Sequence, residues 1–141
     1  MNKQKNLSGE ERKKTKEVLR QYLEKERAIL FAYLHGSFAE GRPFRDIDIA
    51  VFVDEKYIPR GKGLHFEMAV SMCREAVVGL PIDVKVINYA PLAFQYFSTS
   101  DTLLIDKEDD FRTDFLTKIR SLYFDFKPSS ERFLMEMLYA E

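Results

Sequence analysis

Residues 46–53 read DIDIAVFV, two carboxylates one residue apart at the mouth of an apolar run. Such a run predicts a β-strand. With a side-chain period of two, Ile47, Ile49, Val51 and Val53 share one face, and Asp46, Asp48, Ala50 and Phe52 share the other. Both acids then stand together where the strand enters the core. Two unpaired anions there repel each other and are costly to bury, so something must compensate them. Arg45 is adjacent, but the alternation sends its side chain to the opposite face.

The rest of the chain supplies partners for that strand. Ser8 and Glu11 form a capping-box pattern, which predicts a helix to about Arg27 with Val18, Leu19, Tyr22 and Leu23 as its stripe. Residues 28–34 (AILFAYL) read as a buried strand ended by His35-Gly36-Ser37, and residues 38–45 as a turn with room for one helical turn. Leu64 to Val78 fits a helix, with Leu64, Met68, Met72 and Ala76, flanked by Ala69, Cys73 and Val77, as its inner face; Gly79 stands at its C-cap. Pro81 precedes an alternating strand, residues 82–88 (IDVKVIN). Asn88 is placed to cap a helix from Pro91 to Phe97. Thr102 to Asp106 is a short edge strand, and Asp109 to Phe124 a helix that Lys127-Pro128-Ser129 ends, before a last helix from Ser130 to Tyr139. The pattern predicts one α/β (α+β) domain over residues 1–141, a small mixed sheet flanked by helices. Residues 1–7 are expected to fray, and residues 128–141 to form a helical extension.

Composition excludes several classes. A net charge of -1 argues against a general, stable nucleic-acid binder. The charge is uneven: residues 1–30 hold nine Lys or Arg against five acids, and residues 101–141 ten acids against six basic residues, both readable as solvated faces. One cysteine, Cys73, allows no internal disulfide and reads as a core thiol. No apolar run approaches the roughly 18 residues of a membrane span, and the first residues lack a signal-peptide core, so a cytoplasmic site is the expectation.

The chemistry turns on a third acid. Asp83 opens the alternating strand 82–88 with Lys85 and Ile87 on its face. If that strand lies beside 46–53, Asp83 stands next to Asp46 and Asp48. A bare pair of strand-end aspartates can simply face solvent. Three strand-borne carboxylates can instead hold two divalent metals about 3.5–4 Å apart, and hard oxygen donors suit Mg2+. Gly36-Ser37 adds a glycine that lets a phosphate approach the backbone and a hydroxyl that can donate to it. A metal platform beside a phosphate cradle points to phosphoryl or nucleotidyl transfer.

Gly36-Ser37, then Asp46-Ile47-Asp48, then Asp83 within IDVKVI resembles the minimal nucleotidyltransferase group of the polymerase-beta-like superfamily. The motifs span residues 28 to 90, and residues 120–128 (RSLYFDFKP) look like that group's end helix. Eight residues (38–45) separate Ser37 from Asp46 where the group usually has ten, Arg45 replaces a small polar residue, and Glu40 takes a place that is often basic. Arg42 is then the candidate to meet a triphosphate. The resemblance implies catalytic and metal-binding roles for Asp46, Asp48 and Asp83, with two Mg2+ ions (Mn2+ as a substitute) and ATP or another NTP as substrate. Gly36, Ser37, Arg42 and Lys85 would hold the nucleotide.

It further implies an antitoxin that transfers AMP to a tyrosine hydroxyl of a helical HEPN-type toxin, because a chain this short leaves little room for its own acceptor domain. Two alternatives stand beside this: a non-catalytic antitoxin that neutralises its partner stoichiometrically, and a nucleotidyltransferase for a small aminoglycoside-like molecule. Either a homo- or a hetero-oligomer is compatible with the sequence. Other residues have plainer readings. His35 is a structural imidazole or a phosphate neighbour, and His65 a helix-end side chain. Lys85 pairs with Asp83 or meets a phosphate. Tyr89, Tyr96, Tyr123 and Tyr139 are packing residues. Phe124, Phe126 and Phe133 divide between core and docking surface.

Overall fold

A computed structural model describes residues 4–139. Four strands form one sheet in the order β3-β2-β1-β4: β1 is Ile29–His35, β2 Ile47–Val53, β3 Ile82–Val86 and β4 Thr102–Asp106. β1 runs antiparallel to β2 and β4, whereas β3 runs parallel to β2. The mixed sheet and its flanking helices agree with the sequence pattern. Helix α1 (Gly9–Glu24) ends three residues before the expected Arg27. Its capping box is made: the Glu11 N–H donates to Ser8 Oγ at 3.2 Å, and the Ser8 N–H to Glu11 Oε1 at 3.0 Å. Residues 5–7 do not fray: Lys5 and Phe44 exchange two backbone hydrogen bonds, and Leu7 packs on the core. Residues 1–3 and 140–141 lie outside the described residues, as does the Tyr139 side chain.

The period of two gives β2 two apolar faces. Ile47, Ile49, Val51 and Val53 join Leu19 and Leu23 of α1 and Val70 of α3 (Gly63–Val78) in one cluster. Ala50 and Phe52 face the other way, with Phe31 and Tyr33 of β1, against Leu92 and Phe94 of α4 (Leu92–Ser98) and Phe115, Leu116 and Ile119 of α5 (Asp109–Tyr139). Full burial of each such side chain contributes about 1.5–3 kcal/mol, so both layers are held by the sheet. Beyond β2 the Asn88 amide takes the place of a strand residue. It accepts from the Val53 N–H at 2.9 Å and donates to the Val53 carbonyl at 2.8 Å. It does not cap α4, whose N-cap is Pro91.

Helix α3 is rotated from the face its apolar residues predict. Leu64, Met68 and Met72 are 68%, 58% and 68% exposed, Val77 is exposed too, and Cys73 is an exposed thiol rather than a core one. The sheet side instead carries Phe66, Val70 and Val78 with the polar Glu67, Ser71, Arg74 and Glu75. The reason lies in β3, an edge strand whose outward N–H groups need acceptors. The N–H groups of Ile82, Val84 and Val86 donate to Glu75 Oε1, Ser71 Oγ and Glu67 Oε2 at 2.9, 3.1 and 2.9 Å. Supplying them turns the Leu64–Met72 stripe to solvent. Arg74 fastens the same helix to the end of α1 through the Tyr22 carbonyl and Glu26.

Helix α5 runs unbroken through Pro128 to Tyr139 and does not end at 127–129. A proline leaves the carbonyl four residues earlier, that of Phe124, without its helical N–H donor. Here residues 124–128 are all exposed, so water can reach that carbonyl. Phe124, Phe126 and Phe133 are each more than half exposed, so none of them is core. Among the described residues no helix is long and apolar enough to cross a membrane.

The rotation of α3 predicts an unequal response to substitution. Met72→Gln, on the exposed stripe, should change stability by less than about 0.5 kcal/mol, whereas Val70→Ala should cost about 1–3 kcal/mol. Chemical denaturation of both variants checks this; the opposite order would mean that the stripe is buried.

Candidate active site

The site lies where β1 ends and where β2 and β3 begin. The register of the three strands aligns His35 with Asp48 and Asp48 with Asp83. Paired positions share a face, so an imidazole and two carboxylates form a row across the sheet. Asp46 stands just before β2. Among the described residues, no group of three or more His, Cys, Asp or Glu side chains forms a metal cage. The donors that are present fit Mg2+ in a different way. That ion commonly takes one or two carboxylates together with substrate phosphates and waters, and Asp46 and Asp48 line one cleft with Ser37.

Two devices shape the segment between the row and the Gly36-Ser37 turn. Helix α2 (Gly36–Ala39) follows β1 directly. Gly36 has φ +79°, a backbone conformation that disfavours side chains, and a Cβ built there would overlap the Asp48 carboxylate. Glycine is therefore required twice over, and the Ser37 hydroxyl is delivered beside the acids. The second device is Arg12 of α1, a buried guanidinium between the rings of Phe38 and Phe44, 5.3 Å from each centroid. It donates to the carbonyls of Leu7, Phe38 and Arg42 at 3.1, 3.0 and 2.9 Å, and to Asn6 Oδ1. It thereby clamps both ends of the loop joining Ser37 to Asp46. No motif in the sequence marks Arg12. Its one signal was a charge on the inward side of an amphipathic helix.

The electrostatics follow from the crowding. The Asp48 carboxyl is pushed up to about 6 from its ordinary 3.8, first by burial and then by the charges of Asp83 and Asp46. Burial pushes His35 down, against an opposing pull from Asp83 and Asp101, so its ring favours the neutral form. That ring meets Phe94 edge-on at 5.6 Å, and among the described residues its Nε2 has no hydrogen-bond partner.

The remaining candidates divide. Ser37, Asp46 and Asp48 line a cleft of about 270 Å3 with Gln4, Pro43, Phe44 and Arg45. Arg45 was expected on the opposite face; it precedes the strand, so the strand alternation does not govern it. Arg42 is not among the residues of that cleft, and its exposed guanidinium is held by Glu40. Lys85 stands 3.8 Å from Asp83, as an ion pair. Both line a neighbouring groove of about 260 Å3 against α3. Tyr89 donates to the Ile58 carbonyl, and Tyr96 stacks on Tyr123 with centroids 4.1 Å apart, which makes them packing residues.

A carboxylate row at the head of a small mixed sheet, with a glycine-serine turn closing onto it, defines a nucleotidyltransferase-type domain. A family model described as "Polymerase beta, Nucleotidyltransferase" matches residues 17–110, and the chain belongs to that family. A search among curated proteins gives no similar sequence. Among solved structures, the chain resembles one in a toxin–antitoxin complex with AMP-PNP, at 16% identity and TM-score 0.65, covering 88% of this chain and 98% of that one. It also resembles one in the complex of a tri-AMPylated Shewanella oneidensis HEPN toxin with its MNT antitoxin, at 15% identity and TM-score 0.62, with coverage of 87% and 98%. A third likeness is to the MntA–HepT toxin–antitoxin structure, at 15% identity and TM-score 0.60, with coverage of 93% and 99%. At these identities the shared property is the fold.

Two outcomes follow from the site. In the unfolded chain Asp48 ionises near 3.8, and in the folded chain near 6. The folded state therefore holds the extra proton between these values, and ligand-free stability falls as pH rises from about 4 to 6. Asp48→Asn should be more stable than wild type by about 1–2 kcal/mol at pH 7.5 and should lose that advantage below about pH 4. Urea denaturation at both pH values measures the difference. Arg12→Ala strips four neutral acceptors of their donor; one buried acceptor left unsatisfied costs about 1–3 kcal/mol, so a clear fall in melting temperature is expected.

Proposed function

We propose that this protein is a Mg2+-dependent adenylyltransferase that acts as an antitoxin, moving AMP from ATP to a tyrosine hydroxyl of a HEPN-type toxin. The observation that carries this reading is the closure of Gly36 on Asp48, which joins a phosphate cradle to a carboxylate row. The family membership supports it, as does the fold shared with chains of a toxin–antitoxin structure with AMP-PNP and of a complex between an AMPylated HEPN toxin and an MNT antitoxin.

Asp46 and Asp48 would hold the metal ions, two in number, with Asp83 completing the acceptor side. When bound, the metals would neutralise triphosphate charge and favour loss of the acceptor proton. The Ser37 hydroxyl and the Gly36 backbone grip the triphosphate. Arg45, in the same cleft, is better placed for this than Arg42, which Glu40 occupies. Lys85, paired with Asp83, balances charge at the acceptor end. The tyrosine oxygen, oriented by Asp83, attacks the α-phosphorus in line. The bond from that phosphorus to the bridging oxygen breaks, pyrophosphate leaves, and the hydroxyl proton passes to water.

The second reading, stoichiometric neutralisation, draws on the Glu40–Arg42 pair and on the exposed aromatic residues of α5. One experiment separates the two. Titration calorimetry should show AMP-PNP binding with Mg2+ or Mn2+ and none in EDTA. With a HEPN-type partner, ATP and Mg2+, intact mass spectrometry should find added adenylyl groups, and Asp83→Ala should abolish the addition while the complex persists on a sizing column. A stable complex with no mass change for wild type would overturn the enzyme reading.

A further inference from the structure

Asp83 lies on the least supported strand of the sheet. β3 is five residues long and, among the described residues, pairs with β2 alone and has no strand on its outer side. Its side chains divide as the period of two requires. Ile82, Val84 and Val86 are buried in the core beneath α3, while Asp83 and Lys85 alternate with them, Asp83 in register with Asp48, and border the groove at the outer edge of the strand. The N–H groups of Ile82, Val84 and Val86 point away from β2. On a free edge they would meet water and leave the strand able to shift.

Helix α3 removes that freedom through a matched spacing. Four residues of helix advance about 6.0 Å, and two residues of strand about 6.6 Å. Glu67, Ser71 and Glu75, four residues apart, therefore fall opposite Val86, Val84 and Ile82 in turn, and each accepts one N–H. Two of the acceptors are carboxylates, which make the stronger, charge-assisted bonds. The two rungs at Ile82 and Val84 bracket Asp83 on both sides; the third, at Val86, lies three residues beyond it. Helix α3 is itself anchored through Arg74 to α1, so the ladder ties β3 to the body of the protein.

We infer that Ser71 and Glu75 are positioning residues of the active site: through their hydrogen bonds to the Val84 and Ile82 N–H groups, they hold the Asp83 carboxylate against Asp48. This rests on the reading of Asp83 as a metal ligand. It gives the polar inner face of α3 a purpose beyond covering an edge. Glu67 makes the same kind of bond as Glu75 but away from the acid row, so it serves the edge alone.

That difference supplies the test. Ser71→Ala, Glu75→Ala and Glu67→Ala are compared in the full chain for thermal melting and for Mn2+ binding in the presence of AMP-PNP, followed by the Mn2+ paramagnetic resonance signal. Glu75→Ala and Glu67→Ala should lower the melting temperature alike, each leaving one edge N–H without its acceptor. Mn2+ affinity should fall about tenfold or more in Ser71→Ala and Glu75→Ala, stay at the wild-type value in Glu67→Ala, and be restored in Ser71→Thr, which keeps the hydroxyl. If Ser71→Ala does not fold, Glu75→Ala and Ser71→Thr against Glu67→Ala carry the same comparison. Equal Mn2+ affinity in Glu75→Ala and Glu67→Ala overturns the inference and leaves the proposed function standing. A wild-type protein that binds no Mn2+ with AMP-PNP overturns the function and the inference with it.

Discussion

Like charges held in register are the constraint around which this domain is arranged. Asp48 and Asp83 occupy paired positions of adjacent parallel strands, with Asp46 at hand. Their repulsion and desolvation appear in the proton affinity of Asp48, lifted to about 6. The backbone ladder between β2 and β3 opposes that repulsion, and both strands are fixed further by what packs against them. β2 is fixed by an apolar cluster on each face. β3, which among the described residues has one strand neighbour, is fixed also by the side chains of α3.

The same constraint explains the Gly36–Asp46 segment. The cradle must come close enough to Asp48 to leave no room for a Cβ, and a loop so near two anions needs cationic support from behind. Arg12 supplies it through backbone carbonyls rather than through the acids themselves. Its charge is thus spent on the shape of the loop. A buried arginine with four acceptors and two aromatic faces rigidifies its surroundings far more than a surface ion pair does.

Two apolar surfaces remain on the outside: the Leu64–Met68–Met72 stripe of α3 and the second half of α5 with Phe124, Phe126 and Phe133. Each has an intrachain cause. The α3 stripe is turned out because the edge of β3 claims the polar residues, and α5 simply outruns the sheet it packs on. Contiguous exposed apolar surface is the usual mark of an interaction site.

The local content of the fold was legible in the sequence. The β2 alternation, the Ser8–Glu11 capping box, the Gly79 C-cap and the order of helices and strands all rest on interactions within a few residues, which a pattern records directly. The Gly36-Ser37 turn and the Asp46-Asp48 pair stand out in one short stretch, whereas Asp83, distant in the chain, comes beside Asp48 only through the parallel pairing of β2 with β3. What the pattern could not contain was the identity of each element's neighbour. An apolar stripe predicts burial, yet α3 shows its stripe to water because an edge strand, absent from the helix's own sequence, needed acceptors more than the core needed methionines. Arg45 reaches the cleft and Arg42 does not, because a turn outside the strand's alternation sets one and Glu40 holds the other. Pro128 stays within α5 because its surroundings are open to water. Arg12 becomes a clamp only when Phe38, Phe44 and three carbonyls from distant parts of the chain converge on it. Propensity and period are properties of a segment, whereas hydrogen-bond satisfaction and charge compensation belong to whatever folding brings beside it, and only the tertiary structure decides that.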